Sequence, residues 1–165
     1  MKRLVIASPL MALCVPLQPA LALDAACDPI MTAGERKIAQ DAWHSIIRSG
    51  NTEIEYMKVD RQFFVRIAGR GWEKAPDFDD VAKKTLEMMR NGEAKLTNCK
   101  DEGSGTLDGR KTKSISYTIE MPGLPSPSDA KLTVGKDDGL PYSESSGNGK
   151  ATIHYDYQNV VAPRL

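Results

Sequence analysis

The chain has 165 residues, with 22 basic and 22 acidic side chains, so its formal net charge is zero. This length suits one ordinary domain and is sufficient to bury a sizeable core. A neutral chain without basic clusters lacks the electrostatic footprint of a nucleic-acid binder, so we exclude that class of partner.

The N-terminus predicts a cleavable secretory signal. Lys2 and Arg3 precede an uncharged run at residues 4–17, and Ala20-Leu21-Ala22 supplies the small residues that a signal peptidase requires. The run is shorter than the roughly 20 residues that span a bilayer, although a retained anchor is the alternative. We expect cleavage after residue 22, export to the periplasm, and no transmembrane anchor after processing.

The cysteines predict one disulfide bond. Cys14 would leave with the signal, so Cys27 and Cys99 remain, and two thiols in an oxidising compartment usually pair. The alternatives are two buried free thiols or a metal site. The chain has only two histidines, His44 and His154, and neither is near a cysteine in sequence. We therefore expect no metal and no cofactor.

The first part of the mature chain predicts a helix, a hairpin and a second helix. Apolar residues at helical spacing, a capping box of Thr32 and Glu35, and a terminating Gly50 predict a helix over residues 33–49. His44 would lie on the polar side of this helix and His154 on the polar face of the last strand. Alternating residues around the Val59-Asp60-Arg61 turn predict a β-hairpin. An apolar stripe predicts a second helix from about Asp77 or Asp79 to Arg90.

The rest of the chain predicts antiparallel strands. Turns are expected at Glu102–Gly105 and at Asp108-Gly109, the strongest hairpin signal in the chain. The expected strands lie near residues 96–100, 114–121, 130–134, 140–142 and 151–157. Together these elements predict an α+β fold in which a curved antiparallel sheet, an incomplete barrel, is covered by two helices. We expect residues 23–165 to form a single domain.

The C-terminal third resembles the LolA-like group of outer-membrane lipoprotein carriers and sorting factors. The resemblance is carried by Asp138-Gly139-Leu140-Pro141-Tyr142, then Gly149, then residues 152–160 and the final Ala162-Pro163, together with the order of the strands. In that group an incomplete barrel wraps around helices and holds acyl chains in an apolar hollow. The resemblance thus implies a binder of apolar ligands, but no position inherits a carrier's functional residue.

A set of apolar positions can face one interior hollow on the two helices and the last strands. These candidate ligand-binding residues are Trp43, Ile47, Met89, Ile115, Tyr117, Ile119, Leu132, Val134, Ile153 and Tyr155. Several tyrosines on one face indicate a wet cavity or a sheet edge, since a buried hydroxyl needs a partner. An ordinary core capped by the helices is the alternative.

These patterns favour a periplasmic, non-enzymatic binder or carrier, whose partner is a lipid, another apolar small molecule or a lipoprotein. The second hypothesis is a protein-binding or inhibitor module that uses the proline-rich loop Met121–Pro127. A hydrolase ranks third. The acidic pairs Asp79-Asp80 and Asp137-Asp138 fall at a helix start and a turn, where such residues serve the helix dipole and the turn geometry.

Overall fold

The structure is a computed structural model that describes residues 24–165, apart from Leu124 and Asn148. The predicted signal peptide, residues 1–22, lies outside the described residues. A short 3-10 turn, Ala25–Cys27, leads into helix α1 (Asp28–Ile38), and helix α2 spans Phe78–Arg90. Neither helix is long and apolar enough to cross a membrane. The strands are β1 (Ala42–Ser49), β2 (Thr52–Val59), β3 (Gln62–Ile67), β4 (Glu73–Lys74), β5 (Lys95–Leu107), β6 (Arg110–Glu120), β7 (Ser128–Gly135), β8 (Pro141–Ser146) and β9 (Ala151–Asp156).

Within the described part of the chain, the nine strands form a single antiparallel sheet. Its order is β4-β3-β2-β1-β9-β8-β7-β6-β5, so β4 and β5 are the edges and the sheet does not close into a barrel. The curved sheet carries both helices on one face, which we call the inner face. The predicted α+β fold, a curved and incomplete barrel covered by two helices, is confirmed.

The prediction of a helix over residues 33–49 is wrong. The helix begins earlier, with Pro29 in its first turn, and ends at Ile38, while residues 42–49 form β1. Thr32 and Glu35 lie inside α1 and form no capping box there. Gly50, with a φ of 56°, belongs to the turn between β1 and β2. The error arose because the apolar residues of the region fit helical spacing, although Trp43 and Ser45 alternate with partly exposed neighbours as in a half-buried strand.

The predictions for α2 and for the turns that follow it agree better with the structure. Helix α2 is confirmed, and the side chain of Asp77 caps it by accepting the backbone N–H groups of Asp79 and Asp80. The hairpin turn at Asp108-Gly109 is confirmed as well. The turn expected at Glu102–Gly105 is wrong, because β5 continues through it as one long strand with irregular pairing to β6. A bulge of this kind bends a strand without ending it.

The predicted disulfide bond joins Cys27 to Cys99, with 5.3 Å between the Cα atoms. Cys27 is fully buried at the start of α1, and Cys99 lies on β5. The bond therefore anchors the N-terminal end of α1 to the sheet edge.

At the C-terminal end of α1, a buried lysine of the sheet forms hydrogen bonds to both helices. Lys58 on β2 is 4% exposed. Its Nζ donates to the carbonyl oxygen of Ile38 at 2.9 Å and to Asp79 Oδ2 at 2.6 Å. Ile38 is the last residue of α1 and Asp79 lies in the first turn of α2. The positions of the helices above the sheet are thus set by a charged contact as well as by apolar packing.

Candidate ligand-binding site

A cavity of about 310 Å³ lies between the two helices and the inner face of the sheet. We call it the inner cavity. Most of its lining side chains are apolar, and they come from α1, α2 and strands β6 to β9. The residues are Ile30, Ala33, Gly34, Lys37, Ala82, Thr85, Leu86, Met89, Tyr117, Ile119, Met121, Leu132, Pro141, Glu144 and Tyr155.

Half of the ten candidate residues line this cavity, namely Met89, Tyr117, Ile119, Leu132 and Tyr155. The other five are elsewhere. Trp43, Ile115 and Val134 are buried in the core, at 2%, 1% and 7% exposure. Ile47 and Ile153 face each other across the pairing of β1 with β9. Trp43 and Ile47 were expected on a helix wall opposite the sheet, and this expectation is wrong because both belong to β1.

One end of the inner cavity is polar, and its charged groups are Lys37 and Glu144. The ammonium of Lys37 lies 4.3 Å from the ring centre of Trp43 and 4.9 Å from that of Tyr155. The hydroxyl of Tyr117 donates to Glu144 Oε1 at 2.7 Å. The cavity is therefore amphipathic, with hydrocarbon walls and one cation and one carboxylate at the same end.

The pKa shifts of Lys37, Tyr117 and Tyr155 reflect how strongly this end of the cavity is shielded from water. Burial lowers the pKa of Lys37, against the opposing effect of the negative charge on Glu144. Burial is also the main cause that raises the pKa of Tyr117 well above its ordinary value, and the charge and hydrogen bond of Glu144 add to it. The pKa of Tyr155 is raised well above its usual range by burial first and then by Glu144. Charges in this region interact at a lower effective dielectric than charges at the surface.

The sequence prediction missed both charged residues of the cavity. Lys37 was assigned to no face because the first helix was placed wrongly. Glu144 escaped notice because its strand was expected to end at Tyr142, whereas β8 runs to Ser146 and pairs Glu144 with Leu132 and Ile153. The available signal was the alternation of the strand, which places the carboxylate of Glu144 on the same face as its inward-facing neighbours.

A second, larger cavity of about 390 Å³ is bordered by residues of β1, β5, β6, β8 and β9 and shares Tyr155 with the inner cavity; we call it the outer cleft. Its lining residues are His44, Ile46, Leu107, Asp108, Arg110, Tyr142, His154, Tyr155, Asp156 and Gln158. His154 is exposed on β9, as predicted for a polar face. His44 is on β1 and not on a helix, so its predicted location is wrong, and its Nε2 lies 2.9 Å from Glu55 Oε2.

Arg110, a charged residue that lines the outer cleft, is already paired with a carboxylate. Arg110 Nη1 lies 3.6 Å from Asp138 Oδ2, and its guanidinium stacks over the ring of Tyr142 at 4.2 Å. Burial and the hydrogen bond to Asp138 raise the pKa of Tyr142 to about 12. Among residues 24–165 other than 124 and 148, no group of three or more His, Cys, Asp or Glu side chains is arranged to hold a metal ion.

Comparisons with known proteins agree with this architecture. No family model matches the chain, and no curated protein matches it in sequence. Among solved structures, the chain is similar to the lipoprotein LppX of Mycobacterium tuberculosis, with a TM-score of 0.54 and 13% identity over 85% of this chain and 98% of LppX. It is also similar to MucB, solved in complex with MucA(peri), with a TM-score of 0.45 and 15% identity over 85% of this chain and 57% of MucB. The LppX match supports the fold that the LolA-like resemblance implies.

Proposed function

We propose that the chain is a periplasmic, non-enzymatic binder or carrier whose inner cavity takes a lipid-like or apolar ligand. The observation that carries this proposal is the inner cavity itself, which has mainly apolar walls between the helices and the sheet. Burial of hydrocarbon in such a space is favourable by about 25 cal/mol per Å² removed from water. Its volume lies at the lower end of the range of about 300–1,000 Å³ typical of ligand pockets.

Export is the second part of the proposal. Residues 1–22 are proposed as the signal peptide, with the mature chain beginning at Leu23. The disulfide between Cys27 and Cys99 supports it, because such bonds persist mainly in oxidising compartments. The likeness in fold to a lipoprotein, LppX, is compatible with the cell envelope. The intact mass of the exported protein tests the cleavage site, and a retained leader contradicts it.

Binding can be tested with the natively purified protein. Solvent extraction followed by mass spectrometry should recover a bound apolar molecule, and the neutral fluorescent probe phenylnaphthylamine should bind and be displaced by it. If neither the extract nor the probe reveals binding, the carrier proposal fails. A module that uses the surface of the Met121–Pro127 loop would then be the better hypothesis.

A pair of variants on α2 locates the binding. Ala82 lines the inner cavity, whereas its neighbour Val81 is 59% exposed. Ala82→Phe should fill part of the cavity and weaken probe binding at least about tenfold, the equivalent of about 1.4 kcal/mol. Val81→Phe introduces the same ring towards solvent and should leave binding unchanged. Equal effects of the two variants would place the probe outside the cavity.

A further inference from the structure

Building on the proposed function, we propose that the inner cavity selects a single-chain amphiphile with an anionic head group, carboxylate or phosphate, which binds at the ammonium of Lys37. The hydrocarbon chain lies along the apolar walls formed by the helices and strands β6 and β7. The volume of the inner cavity, about 310 Å³, is at the lower end of the range for ligand pockets, which favours one hydrocarbon chain over the paired chains of a membrane lipid.

The environment of Lys37 is the main reason for this assignment. The ammonium lies against the rings of Trp43 and Tyr155, and among the described residues it makes no hydrogen bond or ion pair. An ammonium has three donors and no acceptor, and cation–π contacts leave these donors without a partner. A half-buried cation whose donors lack partners is stabilised by an anion that accepts its hydrogen bonds.

Lys58, which contacts both helices, differs from Lys37 in its hydrogen bonds. Lys58 donates to the Ile38 carbonyl and to Asp79, so its hydrogen bonds are made within the protein. Lys58 is therefore a structural cation, whereas Lys37, which lines the cavity, has donors available for a ligand.

Glu144 opposes an anionic head group, but the hydrogen bonds that Lys37 lacks decide the sign of the head group that fits. Its Oε1 already accepts the hydroxyl of Tyr117 at 2.7 Å, so the carboxylate has a partner in the absence of a ligand. A cationic head group would gain Glu144 but would be repelled by Lys37, whose hydrogen bonds would stay unmade. An anionic head group makes those bonds, and the cost is its repulsion by Glu144.

The test compares ligands that share one hydrocarbon chain. Dodecanoate, dodecyl phosphate, dodecanol and dodecylamine each displace phenylnaphthylamine from the wild-type protein at neutral pH in parallel titrations. At least one of the two anions should bind about tenfold more tightly than dodecanol, because a hydrogen bond to a charged group contributes at least that much. The tighter of the two anions identifies the head group.

Substitutions at Lys37 test whether the preference for the anion depends on the charge of this side chain. Lys37→Met keeps the apolar stem and should abolish the preference for the anion while dodecanol still binds. Lys37→Arg should retain the preference. Lys84→Met removes an exposed charge from α2 and should have no effect. Glu144→Gln, which keeps an oxygen for Tyr117, should raise the preference severalfold because it removes a repulsive charge.

The two levels of the proposal fail in different ways. If dodecanol and the anions bind equally to the wild type, or if Lys37→Met and Lys84→Met reduce anion binding equally, the head-group assignment is overturned and the apolar carrier stands. Tightest binding of dodecylamine also overturns it. If the probe and all four amphiphiles fail to bind, the carrier proposal itself is wrong.

Discussion

The inner cavity and the outer cleft both border Tyr155 but differ in what they can offer a ligand. The outer cleft is larger, at about 390 against 310 Å³, but its charges are exposed or paired with each other. The inner cavity has apolar walls and a shielded cation without a hydrogen-bond acceptor among the described residues. Affinity comes from apolar area removed from water and from polar groups that gain partners, so volume is the poorer guide.

The largest expected effect comes from loosening the helices that cover the inner cavity. Lys58→Met should lower the free energy of unfolding by about 3–5 kcal/mol, because it leaves the carboxylate of Asp79 buried without its cation. Urea unfolding measures this change. The double variant Lys58→Met, Asp79→Leu should recover much of the loss, since apolar replacement of a buried pair is often close to neutral. A loss below about 1 kcal/mol would mean that the pair behaves like an exposed one.

The next effect uses pH to test how strongly Tyr117 of the inner cavity is shielded from water. An unfolded tyrosine loses its proton near pH 10, whereas folded Tyr117 keeps it because its pKa is raised. Above pH 10 the unfolded state therefore binds fewer protons, and stability falls by about 1.4 kcal/mol per pH unit for each such group. Lys37, with its lowered pKa, changes stability in the opposite direction, and only up to its unfolded pKa of 10.5.

Tyr117→Phe should flatten this decline above pH 10 by the contribution of one tyrosine. Urea unfolding at several pH values between 9 and 12 gives the slope. The variant also loses its hydrogen bond to Glu144, so its stability should be lower at neutral pH. If the slopes of the two proteins above pH 10 are equal, Tyr117 is not shielded as the structure indicates.

The smallest effect is expected at Trp72, which lies beside His44 of the outer cleft. The ring of Trp72 lies 4.8 Å from the guanidinium of Arg66 and 6.0 Å from the ring of His44. Trp72→Ala should lower the free energy of unfolding by about 0.5–1 kcal/mol, as expected for a partly exposed cation–π contact. Binding of phenylnaphthylamine should not change. A loss of probe binding would show that the outer cleft and the inner cavity are coupled, and the contrast between them would no longer hold.

Strands β2, β3 and β6 to β9 and helix α2 could be predicted because each has one dominant local signal. Alternation, Asp-Gly turns and the cap at Asp77 all favour the structure that forms. Residues 33–49 lacked such a signal, since Trp43 and Ile47 lie four residues apart and suit either a helix face or one face of a strand. Pro29, a residue common in the first turn of a helix, was the overlooked indication that α1 begins earlier.

The candidate site was only half predictable for a different reason. Sequence patterns identify apolar residues that face inward, but packing decides which of them border open space. Ile115 and Leu132 pair across neighbouring strands, yet only Leu132 lines the inner cavity. Lys37 was beyond the pattern, because charged residues are assigned to solvent unless a structure places them elsewhere, and only the alternation along β8 could have indicated Glu144.

The position of the proposed cleavage site simplifies formation of the disulfide bond between Cys27 and Cys99. Before processing, Cys14, Cys27 and Cys99 offer three alternative pairings for one bond. Cleavage after Ala22, as we propose, removes Cys14 and leaves one pairing. Thiol–disulfide exchange between wrongly joined sulfurs is then unnecessary, so an oxidant alone completes the covalent structure and an isomerase has no mispaired form to correct.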